Sequence, residues 1–182
     1  MKRFFVLILS ILSLNLCFAQ SQQRENLKKD VYYLSSDALE GREVGSVGNS
    51  LAKAYICEQL DSLKIEHYIQ DFSANLGKNI VAEIRAEKPL YNPEYIVIGA
   101  HYDHLGIRND KVYNGADDNA SGSAMLLQLA RLLNANSDKI NRHIILIWFD
   151  AEEIGLLGSD HFAYNPIFVD KLSDIKLMIN LD

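Results

Sequence analysis

The stretch that most constrains the fold is Ile144 to Glu153, IILIWFDAEE, where an unbroken apolar run stops at three carboxylates within four positions. A run of Ile, Leu, Trp and Phe without polar alternation predicts a strand covered on both faces, as in parallel α/β sheets. In open sheets of that kind, chemistry gathers at the carboxyl ends of the strands. Glu152 and Glu153 leave this strand end side by side. Two like charges there cost free energy unless a cation offsets them or one keeps its proton. An isolated Glu-Glu reads as a solvated acidic turn, so the rest of the chain has to decide.

Two other segments repeat the pattern. Tyr95 to Ala100, YIVIGA, runs into His101, Tyr102, Asp103 and His104, and Ile175 to Leu181, IKLMINL, ends on Asp182. Three predicted buried strands therefore end on His101, on Glu152 and Glu153, and on Asp182. A further acidic pair, Asp117-Asp118, lies in the Gly-containing stretch NGADDNASG (114–122), which feeds a helix over 123–133 expected to be apolar on nearly all sides.

Upstream, the spacing of Leu27, Val31, Leu34 and Leu39 predicts a helix over 22–39, ended by Gly41. The loop GREVGSVGNS follows, with Asn49 or Ser50 as the cap of a helix reaching about Leu63. Residues 67–72 and 79–85 alternate like strands, 88–93 read as a turn, and 160–164 read as a short helix. The pattern is α/β.

The 182 residues, 48% hydrophobic and 23% charged, are enough for one such domain. A formal charge of -6 without a Lys/Arg stripe argues against a nucleic-acid partner. Residues 1–19 stand apart. Lys2 and Arg3, an apolar run from Phe4 to Leu14, and Cys17-Phe18-Ala19 follow the plan of a secretory signal peptide cut after Ala19. The run is short for a membrane span and is broken by Ser10, Ser13 and Asn15. Removing 1–19 takes away two bases and no acids, so 16 Lys and Arg face 24 Asp and Glu, a charge of -8. The expectation is an exported protein, periplasmic or extracellular, without stable membrane association. Cys57 is then the one cysteine left, inside the apolar segment AKAYICEQL, which predicts a packed side chain and excludes a disulfide framework.

Carboxylates and an imidazole converging on one sheet edge suit a metal that takes both nitrogen and oxygen, as zinc does, whereas calcium and magnesium favour all-oxygen sites. In His101-x-Asp103 the acid is placed to accept from the ligating ring's other N–H. His104 reads equally well as an outer partner of such a site or as a solvent-facing turn residue. His67, His143 and His161 fall on a surface strand, at the opposite end of the strand that reaches Glu152, and on a helix face.

The motifs AHYDH (100–104), NGADDNASG (114–122), FDAEEIGLLGS (149–159) and NLD (180–182), in this order, resemble the motif set of the zinc aminopeptidase family M28, whose members use two co-catalytic zincs. LSSDALEGREVGSVGN (34–49) resembles the entry to that domain in exported bacterial members. The resemblance spans residues 20–182 as one zinc-exopeptidase-like domain acting on peptides, implying a three-layer α/β/α arrangement with a mixed, mostly parallel central sheet. It implies that His101 and Asp182 bind the first zinc, that Asp118 bridges both metals, and that Glu153 binds the second. Glu152 is then the general base toward water and, with Asp103, makes up the catalytic set. In the family the second zinc takes a further His from a later position. A chain ending at Asp182 is therefore expected to be a piece of a longer protein, incomplete on the carboxyl side, holding one or two zincs. Two other readings stay open: a glutaminyl-cyclase-like single-zinc acyltransferase, and a non-catalytic binding domain of the same fold.

Overall fold

The structure, a computed structural model, describes residues 20–74, 76–91 and 93–182. The leader expected over 1–19 lies outside them.

Among the described residues, seven strands and four α-helices follow one another. Helix α1 covers 20–34 and α2 covers Val47–Ser62; β1 is His67–Phe72, β2 Gly77–Ile84 and β3 Tyr95–His101. The short strands β4 (Gly106–Arg108) and β5 (Lys111–Tyr113) precede α3 (Ser121–Asn134) and β6 (His143–Phe149), and α4 (Leu157–Tyr164) and β7 (Ile175–Asn180) close the sequence of elements. The main sheet has the order β1-β2-β6-β3-β7. Strands β3, β6 and β7 are mutually parallel, and β2 is antiparallel to both β1 and β6. Four of the five strands therefore share one direction and β2 alone is reversed.

Alternation along β6 builds the three layers. Ile144, Leu146 and Trp148 face a core formed with α1, α2 and α3, whereas Ile145, Ile147 and Phe149 face a smaller core with Phe162 of α4. Truncating a side chain as enclosed as Leu146 to Ala would cost about 2–5 kcal/mol. Helix α3 connects β3 to β6 across one face and α4 connects β6 to β7 across the other. Chain connections thus diverge at the carboxyl ends of β3 and β6, where α/β sheets open a crevice.

Several sequence expectations change in detail. Helix α1 stops at residue 34, because Ser35 Oγ donates to Val31 O (2.7 Å) and Ser36 Oγ to Tyr33 O (2.8 Å), taking up carbonyls of the last turn. A 3-10 segment, Asp37–Arg42, follows. The cap of α2 is Ser46, whose Oγ accepts from Asn49 N (3.0 Å). The hairpin β4–β5 is too short to show alternation; its signal is the turn Asn109-Asp110, with both residues left-handed. Helix α3 has a solvent side, with Met125 and Leu132 exposed. Strand β7 stands at the edge of the sheet in this chain, with Leu177, Met178 and Ile179 exposed.

Candidate metal centre

The carboxyl ends of β3, β6 and β7 meet the turn that opens α3. His101 closes β3 and is buried. Its Nε2 lies 3.1 Å from Asp118 Oδ1 and 3.4 Å from Asp182 Oδ1, both carboxylates being more than half exposed. Four donors around one zinc, each about 2.0–2.1 Å from it, stand about 3.3 Å apart along a tetrahedral edge. The two separations fit that edge. Nε2 is also a buried nitrogen with no hydrogen-bond partner of acceptable geometry, so the carboxylates flank it without satisfying it.

The other ring nitrogen sets the tautomer. Nδ1 is 3.2 Å from the Asp103 backbone O and 3.6 Å from Asp103 Oδ1. The first contact is a hydrogen bond and the second a charge contact, which places a hydrogen on Nδ1 and aims Nε2 at Asp118 and Asp182. Burial alone would push the imidazole pKa down; Asp103, Glu152 and Asp118 outweigh it and lift the ring to about 9.

The carboxylate of Asp103 has a further task beside facing the ring. It is fully buried and accepts from Glu152 N (Oδ1, 3.1 Å) and Glu153 N (Oδ2, 3.3 Å), so it aims the Glu-Glu pair while its main chain holds the ring. Glu152 lines a cleft of about 160 Å³ together with His101, Phe149, Leu156, Met178 and Asp182. Partial burial raises its pKa above the usual carboxylate range, His101 pulls it down, and Glu153, Asp103 and Asp182 push it up again. A carboxylate so placed is ready to take and return a proton.

Glu153 turns toward His104 instead. His104 Nδ1 is 2.5 Å from Glu153 Oε1 and 3.9 Å from Asp118 Oδ2. Two triads thus share Asp118: His101 with Asp118 and Asp182, and His104 with Asp118 and Glu153. Asp117 belongs to neither. It is exposed, and its backbone O accepts from Ser121 Oγ (2.9 Å). The third acid of the strand-end run, Asp150, is fully buried and accepts from Lys78 N (2.8 Å), Asn49 Nδ2 (2.9 Å) and Ala151 N (3.0 Å). It anchors the β6 turn and stays out of the cluster. The peptide bond after Asp118 is cis. Asn119 ties the Asp118 turn to the end of β7, its Nδ2 donating to Leu181 O (2.8 Å) and its Oδ1 accepting from Gly122 N (2.9 Å).

His143 and His161 lie away from this cluster, His143 at the amino end of β6 and His161 stacked on Phe72. Cys57 is partly enclosed, and burial pushes its thiol up to about 11, which leaves it inert as a nucleophile.

The sequence profile of Peptidase family M28 matches residues 79–182, which contain every residue of both triads. The chain belongs to this family. Aminopeptidase YwaD of Bacillus subtilis is 36% identical over 110 residues, covering 60% of this chain and 21% of its own length. YfbL of Escherichia coli, an uncharacterized protein, is 37% identical over 165 residues, covering 87% of this chain and 49% of its own. The chain thus spans about half the length of such relatives, or less. Among solved structures, a Zn-dependent exopeptidase from Parabacteroides distasonis superposes with a TM-score of 0.69 at 21% identity, over 86% of this chain and 60% of the other. The fold is that of the zinc exopeptidases.

Proposed function

We propose that this chain carries the catalytic centre of a zinc aminopeptidase that removes amino-terminal residues from peptides. The observation that carries the reading is His101 Nε2, buried, without a hydrogen bond, and set 3.1 and 3.4 Å from two carboxylate oxygens. A donor set of one imidazole nitrogen and carboxylate oxygens is suited to zinc. His101, Asp118 and Asp182 hold one ion, and Asp118 with Glu153 takes part in holding a second. Bound zinc supplies Lewis acidity, which acidifies water, polarises a peptide carbonyl and gives a free α-amine a partner.

The chain's own residues handle the proton. Glu152, in the cleft beside His101, accepts a proton from water as the water oxygen bonds to the carbonyl carbon. When the C–N bond breaks, the same carboxyl returns the proton to the leaving nitrogen and is again a carboxylate. Asp103 keeps Glu152 and Glu153 apart in role by gripping both of their backbone N–H groups.

Glu152→Gln tests the reading. Hydrolysis of an aminoacyl-p-nitroanilide is expected to fall by about 10²–10⁴-fold, the usual weight of a general acid–base, while zinc content stays at the parent value. Loss of zinc instead would mean that Glu152 is the ligand and Glu153 the base. One zinc per chain in an active acyltransferase would favour the cyclase reading. Residues 1–19 lead us to place the protein outside the cytoplasm; an exported protein beginning at Gln20 is the expected result of amino-terminal sequencing.

A further inference from the structure

Arg42 lies outside the two triads, yet it is the most confined cation of the described residues. It is fully buried, and all four of its side-chain hydrogen bonds run to backbone carbonyls: Nε to Tyr102 O (2.8 Å), Nη1 to Leu34 O and to Asn114 O (2.7 Å), and Nη2 to Gly115 O (3.0 Å). Its own backbone O accepts from His104 N (3.2 Å). A buried guanidinium neutralised by no carboxylate in direct contact is expensive. The backbone adds to the cost, since Arg42 has φ +52, in the left-handed region that only glycine adopts freely. Gly41 before it has φ +70, and a Cβ there would stand 2.5 Å from Tyr113 O and 2.6 Å from Gly106 O, so the turn is wedged beneath the β4–β5 hairpin. A strained, buried cation persists where the surroundings demand it.

What it grips explains the demand. Tyr102 lies between His101 and Asp103, and Asn114-Gly115 lead into the turn that carries Asp118. These two segments do not pair with each other in either sheet. One tie runs from the start of α3, where Ser123 Oγ donates to His101 O (2.7 Å), and the Asn114-Gly115 side of the Asp118 loop is held to the strand end through Arg42. We propose that Arg42 is a positioning residue of the metal centre, its guanidinium clamping the strand end of His101 and Asp103 to the loop of Asp118. Its charge also faces an acidic cluster. Desolvation outweighs the pull of Asp103, Asp118 and Glu153 and leaves the guanidinium pKa lowered to about 10. Lysine cannot replace it, because one ammonium does not span three segments with a planar fork.

This inference rests on the zinc reading above, so its test includes a measurement without metal. Arg42→Gly suits the left-handed backbone and leaves a guanidinium-sized gap. Arg42→Lys keeps the charge alone. Arg131→Ala, which removes a buried ion pair with Asp30 remote from the site, controls for general destabilisation. Zinc affinity is read by chelator competition on the full chain, and amide hydrogen exchange is read on the metal-free protein. Arg42→Gly is expected to weaken zinc binding about 10–100-fold, the usual effect of losing a group that orients metal ligands. Arg42→Lys is expected to remain impaired, and added methylguanidinium to restore Arg42→Gly. Exchange is expected to rise selectively over 101–105 and 113–120. Parent-like affinity in Arg42→Gly, or a loss matched by Arg131→Ala with exchange rising evenly over the chain, overturns the proposal. If the parent takes up no zinc, the zinc reading falls, and the exchange pattern alone decides for or against Arg42.

Discussion

The two histidine triads share Asp118 and differ in one distance. Around His101 the donor separations of 3.1 and 3.4 Å leave room for an ion at zinc bond lengths, whereas His104 Nδ1 and Glu153 Oε1 stand at 2.5 Å. Two ligands of one tetrahedral zinc cannot come that close, while a charge-assisted hydrogen bond can. The spacing around His101 fits a shared metal, and the spacing between His104 and Glu153 fits a hydrogen bond. Three residues apart in sequence, the two imidazoles have different work because β3 ends between them: His101 is still fixed by the strand, and His104 is fixed by Arg42 O.

The sharpest way to break this comparison is through the residue that both triads use. Asp118→Ala is expected to remove zinc from both positions and with it all hydrolysis, as measured by metal content after dialysis. Retention of one equivalent would show that the triads are independent. A second test separates them by protons. The metal-free His101 ring, lifted to about 9, is protonated at neutral pH, and zinc must displace that proton. Since the folded-state pKa is raised, competition grows as pH falls. Zinc affinity at the His101 position should weaken about tenfold per pH unit between roughly pH 8.5 and 6.5, the slope for one displaced proton. A flat profile would place the metal-free ring's pKa below this range, so that Asp103, Glu152 and Asp118 do not outweigh burial.

How far the sequence reached follows from the same physics. Strands β3 and β6 were legible because a strand covered on both faces has to be apolar throughout, and both end where the polar residues begin. The pairing of His101 with Asp182 could be anticipated from strand ends, since parallel strands bring their carboxyl ends together, whereas Asp118, in the loop before α3, was assigned from the resemblance to the family's motifs. Asp103 was legible as the ring's partner, but its grip on the Glu152 and Glu153 N–H groups was not, because that depends on how the neighbouring strand's turn packs. Arg42 was not legible as a site residue. An arginine in a loop with three glycines reads as solvated, and its burial depends on the β4–β5 hairpin and the end of α1 closing over it. Asp150 was hidden for the opposite reason, being one of three acids of which two are chemical.

The smallest expected effect carries the finest distinction. If His104 acts only as a donor to Glu153, what matters is an N–H at the Nδ1 position, and an asparagine amide supplies one there. His104→Asn should then keep most of the affinity for the second zinc, and His104→Phe, which has no donor, should lose about 10–100-fold, with the His101 position unaffected in both. If His104 is instead a metal ligand, an amide nitrogen cannot replace it and the two variants fall together. Cobalt substitution reads the difference directly, because the visible spectrum of the bound ion changes when a nitrogen ligand is lost. A parent spectrum retained in His104→Asn supports the donor role; the same altered spectrum in both variants would make His104 a ligand and return the 2.5 Å contact to a feature of the metal-free state.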